Sequence, residues 1–184
     1  HLTKATILDA HYVEAYANLG NVLYHLGDHT RAAAAWQQTI EVKPDHAKAH
    51  FNMGNIYNER GEWNRAIRSY KQAVTLQQSR VYFNLAQAYL RKAKPDSAIG
   101  ALSQAVAIEP NDAEVHFYLG TLFAQKEDRG AALRHFARAL ELEPDNPRSA
   151  PTQCDGGTGT LIYLPAGSVR GGSAQLPLKI NAEF

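Results

Sequence analysis

The stretch AKAHFNMGNIYNERGEWNRAIRSYKQAVTL, residues Ala47–Leu76, decides the fold. Its apolar residues recur at helical spacing on both sides of Gly61-Glu62, which predicts two amphipathic helices joined by a turn. Small residues, among them Gly54 and Ala66, stand where the two helices must touch. One such hairpin cannot bury its apolar face alone, so the pattern predicts neighbours of the same kind.

Four units of this pattern follow one another along the chain. They are 34, 32, 34 and 34 residues long and span Val13–His46, Ala47–Gln78, Ser79–Asp112 and Ala113–Asn146. The twentieth position is alanine in every unit: Ala32, Ala66, Ala98 and Ala132. The first, third and fourth units end with a proline, which stops a helix because it has no N–H to donate: Pro44, Pro110 and Pro144. The second unit is two residues short and lacks this proline, so we expect an altered junction at Leu76–Ser79.

These repeats resemble the tetratricopeptide repeat (TPR) family, whose 34-residue pattern has Leu-Gly, Tyr, Ala, an aromatic residue, Ala and Pro at the same spacings. The Leu-Gly pair stands here as Leu19-Gly20, Met53-Gly54, Leu85-Ala86 and Leu119-Gly120. The resemblance covers residues 13–146. It implies an all-α fold, a right-handed α-solenoid of helix-turn-helix repeats, and a function in binding other proteins.

The two flanks of the array depart from the pattern. Residues 1–12 are expected to be the end of a truncated upstream repeat, and because the chain begins at His1 without methionine we treat it as a fragment. Residues 147–184 are rich in Gly, Pro, Ser and Thr and predict a non-helical tail. Two β-like runs stand in this tail, Thr160–Leu164 and Gln175–Ile180, and Pro177 restricts the second to a sheet edge or an extended peptide.

Composition and charge argue against membranes and nucleic acid as binding partners. The net charge is only +1, and no apolar run reaches the ~20 residues that a membrane helix needs. The charge is polarised: residues 60–94 carry eight basic residues and one acidic, whereas residues 95–146 carry four basic and nine acidic. The acidic segment opposes binding to nucleic acid. Cys154 is the only cysteine, which excludes an internal disulfide and favours a cytoplasmic location.

A column of carboxamides is predicted on the concave face, which the first helix of each repeat lines. The sixth repeat position holds Asn18, Asn52, Asn84 and Tyr118, and the ninth holds Asn21, Asn55, Gln87 and Thr121. A carboxamide both donates and accepts, so such a column can hold the backbone of an extended peptide. It resembles the asparagine ladder in the repeats of O-linked N-acetylglucosamine transferase. The alternative is that these asparagines satisfy one another as ordinary repeat residues.

Aromatic and basic side chains accompany the column. Phe51 and Phe83 are expected to form pockets for apolar side chains, unless they are buried between repeats. Lys48 and Arg80 favour an acidic ligand, and Arg91 is placed in the same groove. The predicted peptide-binding set is Asn18, Asn21, Lys48, Phe51, Asn52, Asn55, Arg80, Phe83, Asn84, Gln87 and Arg91.

No constellation for catalysis, metal binding or a cofactor is found. His46 and His50, like His25 and His29, stand four apart, but each pair straddles a helix end and lacks further ligands at the usual spacing. The sequence therefore predicts a protein-binding scaffold without enzyme activity. Two alternatives stay open. One is self-assembly, through the polarised charge or through insertion of the tail into a groove. The other is that the chain is the recognition module of a larger enzyme, such as a glycosyltransferase.

Overall fold

Helical hairpins make up the array, and the predicted all-α class is confirmed. The computed structural model describes the backbone of residues 2–144 and of three short strands, and the side chains of residues 12–144. Its helices are α1 (Leu2–His25), α2 (His29–Val42), α3 (Ala47–Glu59), α4 (Trp63–Ala73), α5 (Ser79–Arg91), α6 (Pro95–Ile108), α7 (Ala113–Gln125) and α8 (Arg129–Leu142). They pack pairwise as α1 with α2, α3 with α4, α5 with α6 and α7 with α8, one pair for each predicted repeat.

The chain divides into two compact units, His1–Ile108 and Glu109–Phe184. Within the first unit, α2 packs against α3 and α4 packs against α5, so the three hairpins stack in sequence order. Apolar residues from α1, α2 and α3 share one buried cluster that includes Leu23, Trp36 and Ile56. The second unit contains the α7–α8 hairpin and the three strands.

Close packing inside each hairpin explains the small residues at the eighth repeat position. A Cβ atom placed on Gly54 would lie 2.5 Å from Cε1 of Tyr70, and one on Gly120 would lie 2.7 Å from the ring of Phe136. Real Cβ atoms do not approach other atoms so closely, so only glycine lets these aromatic rings pack against the helix backbone. The four alanines of the twentieth position have no exposed surface, which confirms their predicted contact role.

The turn inside each hairpin requires a left-handed residue at the fifteenth repeat position. Gly27 and Gly61 have φ values of 81° and 73°, and Ala93 and Glu127 take the same conformation at 52° and 62°. Glycine adopts this conformation without steric cost, whereas a residue with a Cβ is strained there. The turn predicted at Gly61-Glu62 is confirmed, and repeats 3 and 4 make it with an unfavourable residue.

The first helix crosses the predicted boundary between residues 12 and 13 without a break. Ala10 occupies the place that Pro44 and Pro110 occupy before α3 and α7, so nothing there interrupts the backbone hydrogen bonds of the helix. Residues 2–12 therefore extend α1 instead of forming a separate helix. Their assignment to an upstream repeat stays a prediction.

The junction after repeat 2 differs from the others, as its missing proline predicts. Helix α4 passes into a short 3-10 turn, Val74–Leu76, and Gln77 closes it in a left-handed conformation with its N–H donated to the Val74 carbonyl. Helix α5 begins two residues later, at Ser79. Pro95 opens α6, where its lack of an N–H costs nothing.

The second unit also contains a three-stranded antiparallel sheet in the order β1-β2-β3. The strands are β1 (Gln153–Cys154), β2 (Thr160–Tyr163) and β3 (Leu178–Asn181). Leu161 pairs with Cys154 on one side and with Ile180 on the other. The first predicted β run is thus a strand. The second begins only after Pro177 and lies at the predicted sheet edge; its earlier residues, like the rest of the predicted tail, lie outside the described residues.

Candidate functional site: a groove along repeats 1 to 3

Three recesses lie side by side along the first helices of the first unit. Recess A, about 340 Å³, is lined by Asn18, Asn21, Lys48, Glu14, Asp45, Lys43, Ala17, His46, Ala47 and Leu76. Recess B, about 300 Å³, is lined by Asn21, Tyr24, His25, Trp36, Lys48, Asn52 and Asn55. Recess C, about 400 Å³, is lined by Tyr24, Phe51, Asn55, Asn58, Glu59, Arg80, Asn84 and Gln87. A and B share Asn21 and Lys48, and B and C share Tyr24 and Asn55, so the three form one continuous groove.

Nine of the eleven predicted site residues line this groove: Asn18, Asn21, Lys48, Phe51, Asn52, Asn55, Arg80, Asn84 and Gln87. They come from α1, α3 and α5, the helices that the repeat pattern places on the concave face. Their side chains meet because residues three and four apart share one face of a helix. The structure brings these residues together; that they bind a ligand is a proposal.

Phe83 and Arg91 do not line these three recesses; burial contradicts the prediction for Phe83, and the prediction for Arg91 stays open. The Phe83 side chain is only 5% exposed, so it belongs to the core and has no surface for a ligand. Arg91 lies outside the three recesses, and its guanidinium carbon is 5.7 Å from the centre of the Trp63 ring, at the start of α4. Phe51 remains half-buried in recess C, with its ring centre 6.0 Å from that of Tyr70.

The asparagines bond to one another across repeat boundaries. Asn52 donates its side-chain N–H to Oδ1 of Asn21 at 3.0 Å, and Asn84 donates in the same way to Oδ1 of Asn55 at 3.0 Å. In both cases the sixth position of one repeat donates to the ninth position of the repeat before it. The alternative in which the asparagines satisfy one another is therefore present in the structure. It uses one N–H of each donor, and Asn84 also bonds to the Tyr70 hydroxyl. Asn52 keeps a second N–H and its carbonyl oxygen, and Asn84 keeps its carbonyl oxygen.

A buried tyrosine also bonds to this carboxamide ladder, the set formed by Asn21, Asn52, Asn55 and Asn84. The Tyr70 hydroxyl donates to the same Oδ1 atom of Asn55 at 2.9 Å, and the Tyr70 side chain has no exposed surface. Burial raises the pKa of Tyr70 well above its usual value of about 10, so the phenol stays a neutral donor. The Asn55 carboxamide is thereby fixed by two donors, which holds one wall of recess C in place.

Glu59 is a groove residue that the sequence reasoning missed. Its Oε1 atom accepts from the Tyr24 hydroxyl at 2.6 Å, and its Oε2 atom lies 3.0 Å from Nδ1 of His29. The hydrogen bond to this carboxylate is the main cause that raises the pKa of Tyr24. Glu59 occupies the thirteenth repeat position, the same as Arg91. Because Arg91 was predicted to lie in the groove, the repeat pattern could have indicated Glu59 as a groove residue as well. In repeat 2 that position does face the groove.

The groove carries charges of both signs. Lys48 borders recesses A and B, and Arg80 borders recess C. Glu14 and Asp45 lie beside recess A and Glu59 beside recess C, whereas no carboxylate lines recess B. The carboxylate of Glu59 already has two partners. Recess B is consequently the part of the groove that best suits an anionic group.

The second unit offers different chemistry at the equivalent positions. The Thr121 hydroxyl donates to the Phe117 carbonyl of its own helix at 3.0 Å, so it does not continue the carboxamide column. His116 and His135 face each other with their Nδ1 atoms 3.0 Å apart. Nε2 of His116 lies 3.1 Å from the Pro110 carbonyl, which can only accept, so this nitrogen carries a proton.

His46 and His50, one of the two histidine pairs considered in the sequence, have structural roles. Nδ1 of His46 accepts the Ala49 N–H and caps α3, and His50 donates from Nε2 to the Pro44 carbonyl at 2.8 Å. Within residues 12–144, no group of three or more His, Cys, Asp or Glu side chains is arranged to hold a metal ion. No helix in the described part of the chain combines the length and apolarity required to cross a bilayer.

Comparisons with known proteins agree with this architecture. The family model of the cilia and flagella-associated protein 70 C-terminal domain matches residues 3–149. The crystal structure of YrrB, a TPR protein with an unusual peptide-binding site, is 25% identical with a TM-score of 0.66, over 70% of this chain and 68% of that one. MamA is 22% identical with a TM-score of 0.70, over 76% of this chain and 78% of that one. MamA from Desulfovibrio magneticus RS-1 is 26% identical with a TM-score of 0.64, over 73% of this chain and 77% of that one. No curated protein sequence matches the chain.

Proposed function

The chain belongs to the family of the cilia and flagella-associated protein 70 C-terminal domain, a TPR family, and from that premise we propose that it binds an extended peptide in its groove. TPR arrays are protein-interaction modules, and this much follows from the family and the fold. The finer proposal concerns where and how the partner is held. The observation that carries it is the carboxamide ladder, which runs across three stacked helices and leaves an N–H and the carbonyl oxygen of Asn52 and the carbonyl oxygen of Asn84 unused.

The ladder would hold the main chain of the ligand. The Asn52 carboxamide can pair with one peptide unit through an N–H and a C=O, and Asn84 can accept from a ligand N–H; neither bond requires a particular ligand side chain. Asn52 and Asn84 belong to consecutive repeats, whose first helices lie about 8–10 Å apart when packed side by side. An extended chain advances about 3.3 Å per residue, so the sixth-position asparagine of each successive repeat, one rung of the ladder, would meet about every third residue of the ligand. Because the bonds between asparagines fix the amides before the ligand arrives, binding would lose little side-chain entropy.

Ligand side chains would be selected by the recesses between the rungs. Lys48 borders recess B, whose lining contains no carboxylate, so an Asp or Glu of the ligand would bind there. Recess C combines the half-buried ring of Phe51 with Arg80 and suits an apolar residue followed by an acidic one. We therefore propose an acidic peptide with an apolar anchor. The peptide-binding site of YrrB, at 25% identity, supports a peptide as the ligand.

Selection from a random peptide library on the full chain tests the proposal. Fluorescence anisotropy would then give the affinity of the selected peptides for the wild type and for Asn52→Ala/Asn84→Ala. Loss of the backbone bonds at two rungs is expected to weaken binding by roughly 10-fold or more, since each net hydrogen bond contributes about 0.5–1.5 kcal/mol. Circular dichroism should show the same helical content in both proteins.

A matched control separates the ladder from general effects of losing carboxamides. Gln37 and Gln38 are exposed on α2, and neither lines a recess of the groove. Gln37→Ala/Gln38→Ala should bind the peptides as the wild type does. Equal affinity of the ladder variant and the wild type would show that the asparagines serve only the fold.

A further inference from the structure

Helix α1 presents an apolar stripe to solvent. Tyr12, Leu19, Val22 and Leu26 are 56%, 46%, 55% and 75% exposed, and Ala15 is exposed between them. The spacing alternates between three and four residues, which places all five on one face of the helix. A helix packed alongside is the usual partner of such a stripe, because its side chains fit between successive turns.

The same repeat positions are buried in the following repeats of the first unit. Leu19 and Val22 correspond to Met53 and Ile56 in α3, which are 5% and 1% exposed. In α5 they correspond to Leu85 and Ala88, at 5% and 0%. Met53 and Ile56 belong to the cluster that joins α3 to α2, the second helix of the repeat before. The exposed face of α1 is therefore equivalent to the face that, in α3, packs against the second helix of the preceding repeat.

Helix α8 carries the matching surface. Ala33 and Ile40 of α2 pack against the cluster that contains Met53 and Ile56. Their counterparts in α8 are Leu133 and Leu140, separated by Ala137. Leu133 is 36% exposed, Ala137 is exposed and Leu140 is half-buried. The face of α8 that would receive a following first helix is therefore open and more apolar than its equivalent in α2.

We propose that these two faces bind each other between copies of the chain. Helix α8 of one copy packs on α1 of the next, and the contact repeats the α2–α3 packing inside the first unit. The occupant of the α1 stripe is thus a second copy of this chain, bound head to tail. Since the two faces differ, the contact is heterologous, and each copy keeps one face that can bind a further copy. This association is independent of peptide binding in the groove.

Sedimentation of the full chain and of two blocked variants tests this proposal. The wild type should show a mass that rises above one chain with concentration, over about 1 to 100 μM. Leu19→Glu/Val22→Glu blocks the α1 face and Leu133→Lys/Leu140→Lys blocks the α8 face, so each variant alone should sediment as a monomer. Mixed in equal amounts, they should form a one-to-one dimer, because each supplies the face that the other lacks.

The same sedimentation experiment includes a control variant, and some of its outcomes would contradict the proposed contact between α8 and α1. Val42 is 46% exposed on α2 outside both faces, so Val42→Glu should associate as the wild type does. Circular dichroism shows whether each variant is folded; if Leu140→Lys disturbs α8, Ala137→Lys serves as the second block. A wild type that stays monomeric at every concentration overturns the proposal. So does association that only the α1 variant abolishes, which would mean that two α1 faces pair with each other.

Discussion

Asn84 donates to Oδ1 of Asn55 at 3.0 Å across the boundary between two repeats, and the buried Tyr70 hydroxyl donates to the same atom at 2.9 Å. One acceptor thereby joins α3, α4 and α5. The side-chain positions that would hold a ligand are consequently also positions that hold the repeats together. Variants at these positions must be judged by stability and by binding, measured separately.

Asn55→Ala is expected to destabilise the first unit more than Tyr70→Phe. Removing Asn55 takes the acceptor from a fully buried hydroxyl, which costs about 1–3 kcal/mol, whereas Tyr70→Phe leaves Asn55 with its bond from Asn84 and costs about 0.5–1.5 kcal/mol. Urea denaturation of both variants and of the double variant measures these costs. The double variant should be less destabilised than the sum of the two, since the second change removes the unsatisfied hydroxyl. Additive costs would contradict the shared bond.

Gly54→Ala should destabilise the array by about 1–3 kcal/mol, because the new methyl group would overlap the Tyr70 ring. Gly100 provides the control, since it lies in α6 with nothing within 4 Å of an added Cβ. Gly100→Ala should stabilise the protein by about 0.5–1 kcal/mol through better helix propensity. Thermal denaturation followed by circular dichroism compares the two. The same sign of effect in both variants would mean that the Gly54–Tyr70 contact is not tight.

Ala93→Gly should stabilise the protein although it introduces a glycine. Ala93 has φ of 52°, and a left-handed conformation costs a residue with a Cβ about 1–2 kcal/mol. Part of the gain is lost because glycine is freer in the unfolded chain, so we expect about 0.5–1 kcal/mol. Ala34, exposed within α2, is the control, and Ala34→Gly should cost about 1 kcal/mol. Urea denaturation measures both, and a loss of stability in Ala93→Gly would contradict the strain.

Stability of the second unit should fall as the pH drops below about 6.5. Burial, together with the charge that His116 and Arg134 would place beside it, lowers the pKa of His135 in the folded state. Above the unfolded pKa both states are neutral. Below that pKa the unfolded chain binds a proton at His135 but the folded chain does not. The free energy of unfolding therefore decreases until the folded His135 is also protonated. Amide hydrogen exchange of α7 and α8 between about pH 7.5 and pH 5.5 measures this decrease.

His135→Gln should flatten that pH dependence. The matched control is His50, which donates to the Pro44 carbonyl as His116 does to the Pro110 carbonyl, but whose repeat has Ser69 at the position of His135. His50→Gln should leave the pH dependence of α7 and α8 unchanged. If His135→Gln retained the full dependence, groups other than the histidine pair would be responsible for it.

The repeat pattern was sufficient to predict the hairpins and most of the groove. Four in-phase copies determined which residues share a helix face, so nine groove residues could be located from spacing alone. Phe83 was misplaced because spacing gives the direction of a side chain but not the depth of its burial, which the neighbouring repeat decides. Glu59 was missed because its contacts come from Tyr24 and His29, in another repeat. The sequence did not show that residues 2–12 join the first helix of repeat 1; they do so because Ala10, unlike a proline, leaves the backbone hydrogen bonds of the helix intact.

The central claim is that the groove of α1, α3 and α5 binds an extended peptide. Backbone amide NMR of the full chain, titrated with a library-selected acidic peptide, tests it most directly. The account predicts that the largest shift changes fall on residues lining the three recesses, such as Lys48, Asn52 and Gln87, and that Lys48→Glu/Arg80→Glu abolishes them. The same reversal at Arg68 and Lys71, exposed on α4 outside the groove, should leave them unchanged. Shift changes confined to α2, α4 and α6, with the groove residues unaffected, would contradict the claim.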